Sequence, residues 1–206
     1  MVFWAIEKGI RFFYRRGRRG RREEREEYLY YVFDEMSEEM LGFMSESISI
    51  KQLFAQWITS ENFRSYGQVI SSSFDGKFFD AEDARLNLQN GIPRFYIMRL
   101  HEKGRKFGKI TRHVKCTQCL GSLEGKDWLM AVAPPGDSDK PTLEDIVAFR
   151  IPGNCFIKLE TGTWHAGPYF DADFVDFYNL ELSDTNIVDH FSHDFVISHN
   201  LEFEIV

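Results

Sequence analysis

The sequence predicts an all-β fold, a barrel or a sandwich, on three observations. Short runs rich in Val, Ile, Phe and Tyr recur from about residue 94 to the C-terminus. Gly, Pro and Asp divide them at turn-like intervals, and no long helical periodicity lies between them. Several runs alternate apolar with polar residues, the period of two that marks a strand with one covered face. The chain has 206 residues, 43% of them apolar and 20 of them Phe, enough for one domain with a sizeable core.

Residues 1–47 stand apart from this pattern. "RFFYRRGRRGRREER" is dense in Arg, and "EEYLYYVFDEMSEEM" is acidic and aromatic. Blocks of like charge are usually solvated, so this part is expected to be a poorly ordered extension. An Arg-rich, acid-poor start also suits an organelle-import peptide, although acidic residues begin at Glu23. The alternative is a non-native extension, with Met36, Met40 or Met44 as an internal start.

The folded domain is expected over residues 48–206. "TSENFRSYGQVI" reads as a short helix capped by Ser60 and ended by Gly67. "DAEDARLNL" reads as a helical turn or a loop. Strands are expected at 94–100, 109–114, 127–133, 146–151, 155–160, 173–182, 194–199 and 201–206. Pro134-Pro135-Gly136-Asp137 is a loop by composition.

Composition excludes some functions. A net charge of −7 argues against nucleic-acid or membrane-surface binding by the whole chain. No apolar run approaches the roughly 20 residues a membrane span needs. Three cysteines, an odd number, point to reduced thiols and an intracellular, cytoplasmic setting. Cys116 and Cys119 have CxxC spacing, but no second pair follows, so they read as small buried residues.

Three stretches carry candidate chemistry. In "KITRHV", Lys109, Thr111 and His113 share a face, so His113 points either to solvent or into an interior pocket. In "DFVDFYNLEL", both faces are partly apolar, which suggests a strand covered on both sides. Asp176 and Glu181 have opposite parity there, and an enclosed carboxylate is rare unless paired or used. In "TGTWHAGPYF", Gly162, Gly167 and Pro168 bracket Trp164 and His165 in what reads as a tight turn near a barrel mouth. On composition alone, a structural or surface role for His165 is the simpler reading. An imidazole pKa of about 6.5 would also suit proton transfer near neutrality.

"ITRHVKCTQCLGSLEGKDWLMAVAPPGD" with "LEDIVAFRIPGNCFIKLETGTWHAGPYFDADFVDFYNLELSDTN" resembles the ureidoglycolate lyase family, long called ureidoglycolate hydrolase. "GTWHAGP" and "DFYNLELSDTN" look most like its plant-type branch. The resemblance runs from about Ile48 to the C-terminus. It implies a cupin-type double-stranded β-barrel, usually a homodimer, that splits ureidoglycolate into glyoxylate and urea during allantoin and purine breakdown. It implies His113 and His165 as acid and base, with Gln118 holding the urea group and Trp164 as a wall. Glu181 or Asp176 would orient a histidine, and Lys158, Arg94 or Arg112 would hold the substrate carboxylate. The metal positions of cupins fall on Thr111, His113, Gln118 and His165. No cofactor is expected, because an amide replaces the usual carboxylate; a divalent ion, if held, would use His113, Gln118 and His165. Two alternatives stand beside this reading: an amidohydrolase that releases ammonia, and a non-catalytic small-molecule-binding cupin.

Overall fold

The computed structural model describes residues 47–206, together with a short pairing near the N-terminus in which β1 (Ile6–Glu7) runs antiparallel to β2 (Ile10–Arg11). The chain divides into two compact units, Met1–Ser47 and Ile48–Val206. The expectations of a poorly ordered extension and an import peptide lie outside the described residues. The account below concerns the second unit.

Two sheets form the body of this unit. The six-stranded sheet has the order β15 (Phe191–Asp194), β8 (Lys109–Arg112), β13 (Trp164–Tyr169), β10 (Gly125–Ala133), β11 (Val147–Gly153), β4 (Gln56–Trp57). The five-stranded sheet has the order β5 (Gly67–Ile70), β12 (Phe156–Leu159), β9 (Gln118–Ser122), β14 (Phe174–Leu182), β6 (Pro93–His101). A third sheet orders β3 (Ser49–Leu53), β16 (Leu201–Ile205) and β7 (Lys106–Phe107). The first two sheets face each other across one apolar core. Leu120, Ile157, Leu159, Val175 and Phe177 meet Trp128, Met130, Val132, Phe149 and Ile151 there, with Trp128 edge-on to Phe177 at 5.2 Å. The result is an all-β fold of two facing sheets, a flattened barrel with short helices.

The six-stranded sheet is apolar on both faces. Ile110, Ala131, Ala133, Ala148, Trp164 and Ala166 point away from the barrel into a second core with Leu53, Phe195, Phe203 and Ile205. Burial on both sides explains why β10 reads "WLMAVA" without alternation.

Several elements differ from the sequence expectation. Residues 60–66 form turns rather than a regular helix. Thr59, not Ser60, makes the cap: its hydroxyl takes the Asn62 amide N–H at 3.1 Å, and Asn62 Oδ1 takes the Thr59 N–H at 2.8 Å. The expected strand at 194–199 is helix α2 (Phe195–His199), where Asp194 accepts the Ile197 N–H and Asn200, at φ 48, closes the end. Local capping there outweighs β propensity. The largest difference is in "TGTWHAGPYF". The turn is confined to the residues before Trp164, and Trp164–Tyr169 is strand β13. His165 is therefore a strand residue, aimed by strand parity rather than by a turn.

Candidate active site

The interior faces of both sheets supply the polar residues near one end of the barrel. His165 lies opposite Thr111 on one side and Val132 on the other. It thus shares the barrel side with Val132, while its neighbours Trp164 and Ala166 face the second core. His113, just past β8, turns the same way and is buried. Its ring centroid is 5.0 Å from that of His165 and 5.8 Å from that of the exposed His190. This decides the choice left open for His113: it points inward.

Main-chain carbonyls hold both rings. His113 Nδ1 bonds to the Asp189 carbonyl oxygen, and His165 Nδ1 lies 3.3 Å from the Thr163 carbonyl oxygen. A carbonyl only accepts, so each Nδ1 carries the hydrogen and each Nε2 keeps its lone pair. The turn that fixes Thr163 is itself anchored. Gly162, at φ +87, gives its N–H to His113 O at 2.7 Å, and Thr163 Oγ1 donates to Tyr66 O at 2.8 Å. A side chain other than glycine would strain that backbone.

A second cluster grows from the five-stranded sheet. Gln118 donates through Nε2 to Glu181 Oε2 at 2.8 Å. Tyr96 donates its hydroxyl to Glu181 Oε1 at 3.2 Å and accepts from Asn179 Nδ2 at 3.0 Å. Asn186, from the short helix α1 (Thr185–Val188), reaches Glu181 Oε1 at 3.5 Å. Gln118, Asn179 and Glu181 are all buried. Gln118 Oε1 and Asn179 Oδ1 are buried without a hydrogen-bond partner among the described residues. Such orphaned acceptors are rare in a folded interior and call for a donor from elsewhere.

The two clusters are electrically coupled. Burial pushes the His113 pKa down, against the Asp189 carbonyl and the charges of Asp189 and Glu181, which push it up. Burial, then the neighbouring His113, drives His165 from 6.5 down to about 3. Both rings are therefore neutral near pH 7. The unfolded chain binds the His165 proton more readily, so this group's stability contribution is complete above pH 6.5 and is lost as pH falls toward 3. Relative to His165→Gln, the wild type should lose up to about 2 kcal/mol between pH 6.5 and pH 5, at about 1.4 kcal/mol per pH unit. Urea denaturation at the two pH values checks this; parallel losses in both proteins would refute it.

Of the residues singled out in the sequence, His113, His165, Gln118 and Glu181 come to the barrel interior. Three others do not. Trp164 packs into the second core with the Arg112 guanidinium 4.5 Å above its ring; in β13 it has the opposite parity to His165, so it is no wall of the pocket. Lys158 pairs in register with Cys119, on the outer face. It is buried there, bonded to Glu160 and, at 3.4 Å, to the Arg85 carbonyl. Asp176 also faces outward, where it takes two 2.8 Å bonds from Arg99. The outer face of β14 beside edge strand β6 is open enough for this pair, so the expectation of a strand enclosed on both sides fails there. Neither Asp176 nor Glu181 bonds a histidine; carbonyls do that work. Lys158→Met and Asp176→Asn are each expected to leave KM for the substrate within about twofold, because opposite strand faces do not share a site. Steady-state kinetics on the two variants checks this.

Of the three cations considered, Arg94 alone has the parity of the interior. It lies opposite Glu181 in register, with its guanidinium 3.6 Å over the Tyr96 ring. Tyr96, Asn179, Asn186, Asp189 and His190 were not singled out in the sequence. Apart from Asn186, which reaches Glu181 five positions away, their pairings join residues about 75–85 positions apart, which no local pattern reveals. The three thiols are free and buried, and burial pushes Cys119 up to about 11, so the CxxC spacing yields small core residues.

The model of the family described as ureidoglycolate lyase matches residues 50–195, more than two thirds of the chain. The chain belongs to the ureidoglycolate lyase family. The matched span contains both histidines and the whole Gln118–Glu181 cluster. No curated protein matches the chain by sequence. Among solved structures, RmlC from Streptococcus suis in complex with dTDP-D-xylose is 11% identical, with a TM-score of 0.34. The alignment covers 43% of this chain and 43% of that one, so this chain spans under half the length of that solved relative. Among the described residues, no helix is long and apolar enough to cross a membrane.

Proposed function

We propose that this member of the ureidoglycolate lyase family splits ureidoglycolate into glyoxylate and urea, a step of allantoin and purine breakdown. One observation carries the choice of substrate: two buried amide oxygens of the five-stranded sheet, Gln118 Oε1 and Asn179 Oδ1, lack donors among the described residues, and the facing six-stranded sheet carries the two lone-pair imidazoles. A ureido group supplies N–H donors of the kind those oxygens need, and the carbinol hydroxyl supplies the proton an imidazole takes.

The reaction is balanced without water. A base removes the carbinol proton, the C–O bond becomes C=O, the C–N bond breaks, and the nitrogen takes one proton to become urea. Neither histidine is charged at the start, so the proton delivered to nitrogen is the one just removed from oxygen. His113 suits this shuttle: burial holds its pKa down, so the ring starts neutral, while the Asp189 carbonyl and the charges of Asp189 and Glu181 partly offset burial and ease its transient protonation. His165, held neutral, offers Nε2 as an acceptor that orients the substrate. Arg94 holds the carboxylate at the rim. General acid–base help of this kind is worth about 100- to 10,000-fold.

The residues fit a divalent metal poorly. Beside the two imidazoles stand a neutral amide and Thr111, whose hydroxyl is bonded to Ser192 at 2.8 Å, and Glu181 is committed to Gln118 and Tyr96. Transition-metal sites seldom rest on two imidazoles and an amide. Product analysis with ureidoglycolate, with and without a chelator, tests the reading. Urea and glyoxylate in equal amounts, insensitive to chelator, are expected. Ammonia in place of urea would make the chain an amidohydrolase, and binding without turnover would make it a non-catalytic cupin.

The protein is further proposed to act as a homodimer. Phe95 and Ile97 on edge strand β6 are 66% and 56% exposed, and Phe95 continues a stack through Tyr178 to Phe156. Light scattering should give twice the chain mass, and Phe95→Glu should halve it; a monomeric wild type would refute this.

A further inference from the structure

We propose that Asp189 is the positioning residue of His113, setting both the place of the ring and the nitrogen that carries its proton. It deepens the lyase reading and rests on it for its kinetic arm only.

Asp189 is buried and touches the His113 segment three times. Its carboxylate accepts the Val114 N–H and the Lys115 N–H, each at 2.8 Å. Its own main-chain carbonyl accepts from His113 Nδ1. The side chain therefore pins the two amides that follow His113, and this brings the carbonyl to the ring. No other hydrogen bond to the His113 ring exists among the described residues. Two amide bonds to one ionised acceptor are charge-assisted and stronger than neutral ones. They fasten the strap after β14, which carries α1, Asp189 and His190, onto the end of β8.

The consequence is chemical. With Nδ1–H given to a carbonyl, Nε2 has its lone pair directed away from the strap, and which nitrogen is protonated is set by the bond the other makes. Asparagine at 189 retains one acceptor but turns an NH2 group toward the second amide donor, so one of the two bonds must break. The carbonyl then loses its fixed position and the ring loses its preferred tautomer.

The test has two arms. In wild type at pH 7, nitrogen-15 NMR of the imidazoles should show His113 protonated at Nδ1 and unprotonated at Nε2. Asp189→Asn should give a mixture of tautomers, with kcat lower by about 10- to 100-fold and KM within about threefold. In a His113→Ala background the same substitution should lower kcat no further. Wild type with the proton on Nε2 overturns the proposal whether or not the variant folds. So does Asp189→Asn with an unchanged tautomer and kcat, or an equal loss in both backgrounds. Because the NMR arm needs no substrate, failure of the lyase reading and failure of this proposal give different results.

Discussion

Replacing His113 with alanine is expected to lower kcat/KM for ureidoglycolate by about 100- to 10,000-fold, the range for losing a general acid–base. His165→Ala should cost less, about 10- to 100-fold, because a neutral orienting acceptor contributes a hydrogen bond and its geometry, worth about 1–3 kcal/mol. The order follows from electrostatics. Burial lowers both rings, but at His113 the Asp189 carbonyl and the charges of Asp189 and Glu181 oppose it, whereas His165 is driven to about 3 by burial and its neighbour. Kinetics on both variants, with urea denaturation to confirm folding, checks the order. Equal losses, or a larger loss at His165, would move the shuttle to the other ring.

The second large effect is expected at Glu181. Its carboxylate is the common acceptor of Gln118, Tyr96 and Asn186. Glu181→Leu removes it and leaves the buried Gln118 amide and the Tyr96 hydroxyl as orphaned donors, each costing about 1–3 kcal/mol. The Gln118 amide would then be free to turn, so Oε1 would no longer be presented to a ureido group, and KM should rise about tenfold or more. Glu181→Gln keeps one acceptor and should fall between. A Glu181→Leu protein with unchanged denaturation midpoint and unchanged KM would remove the network from both roles.

These two sites differ in how far the sequence anticipates them. His113 and Thr111 share a face by simple alternation, and Glu181 stands out as a carboxylate in an apolar run. The link between them is invisible in the chain, because Gln118 and Glu181 are 63 positions apart and meet only through the pairing of β14 with β9. The errors follow from the same limit. Trp164 is beside His165 in sequence, yet one step along a strand reverses the face. Lys158 is buried as an enclosed cation should be, but on the outer side of its sheet, where Glu160 and Arg85 O satisfy it.

The sequence by itself determines that this chain is all-β, where most of its strands lie, and that its polar chemistry gathers in three stretches. Those properties reside in local alternation, turn residues and motif composition. Tertiary structure decides which face of each strand becomes interior. A barrel interior is defined by the opposing sheet, and no strand encodes that partner within its own residues. It also decides that "TGTWHAGPYF" is a strand that turns His165 inward and Trp164 outward, and that the carbonyls of Thr163 and Asp189 hold the two imidazoles. Main-chain carbonyls are present at every position, so only three-dimensional placement selects the two that matter.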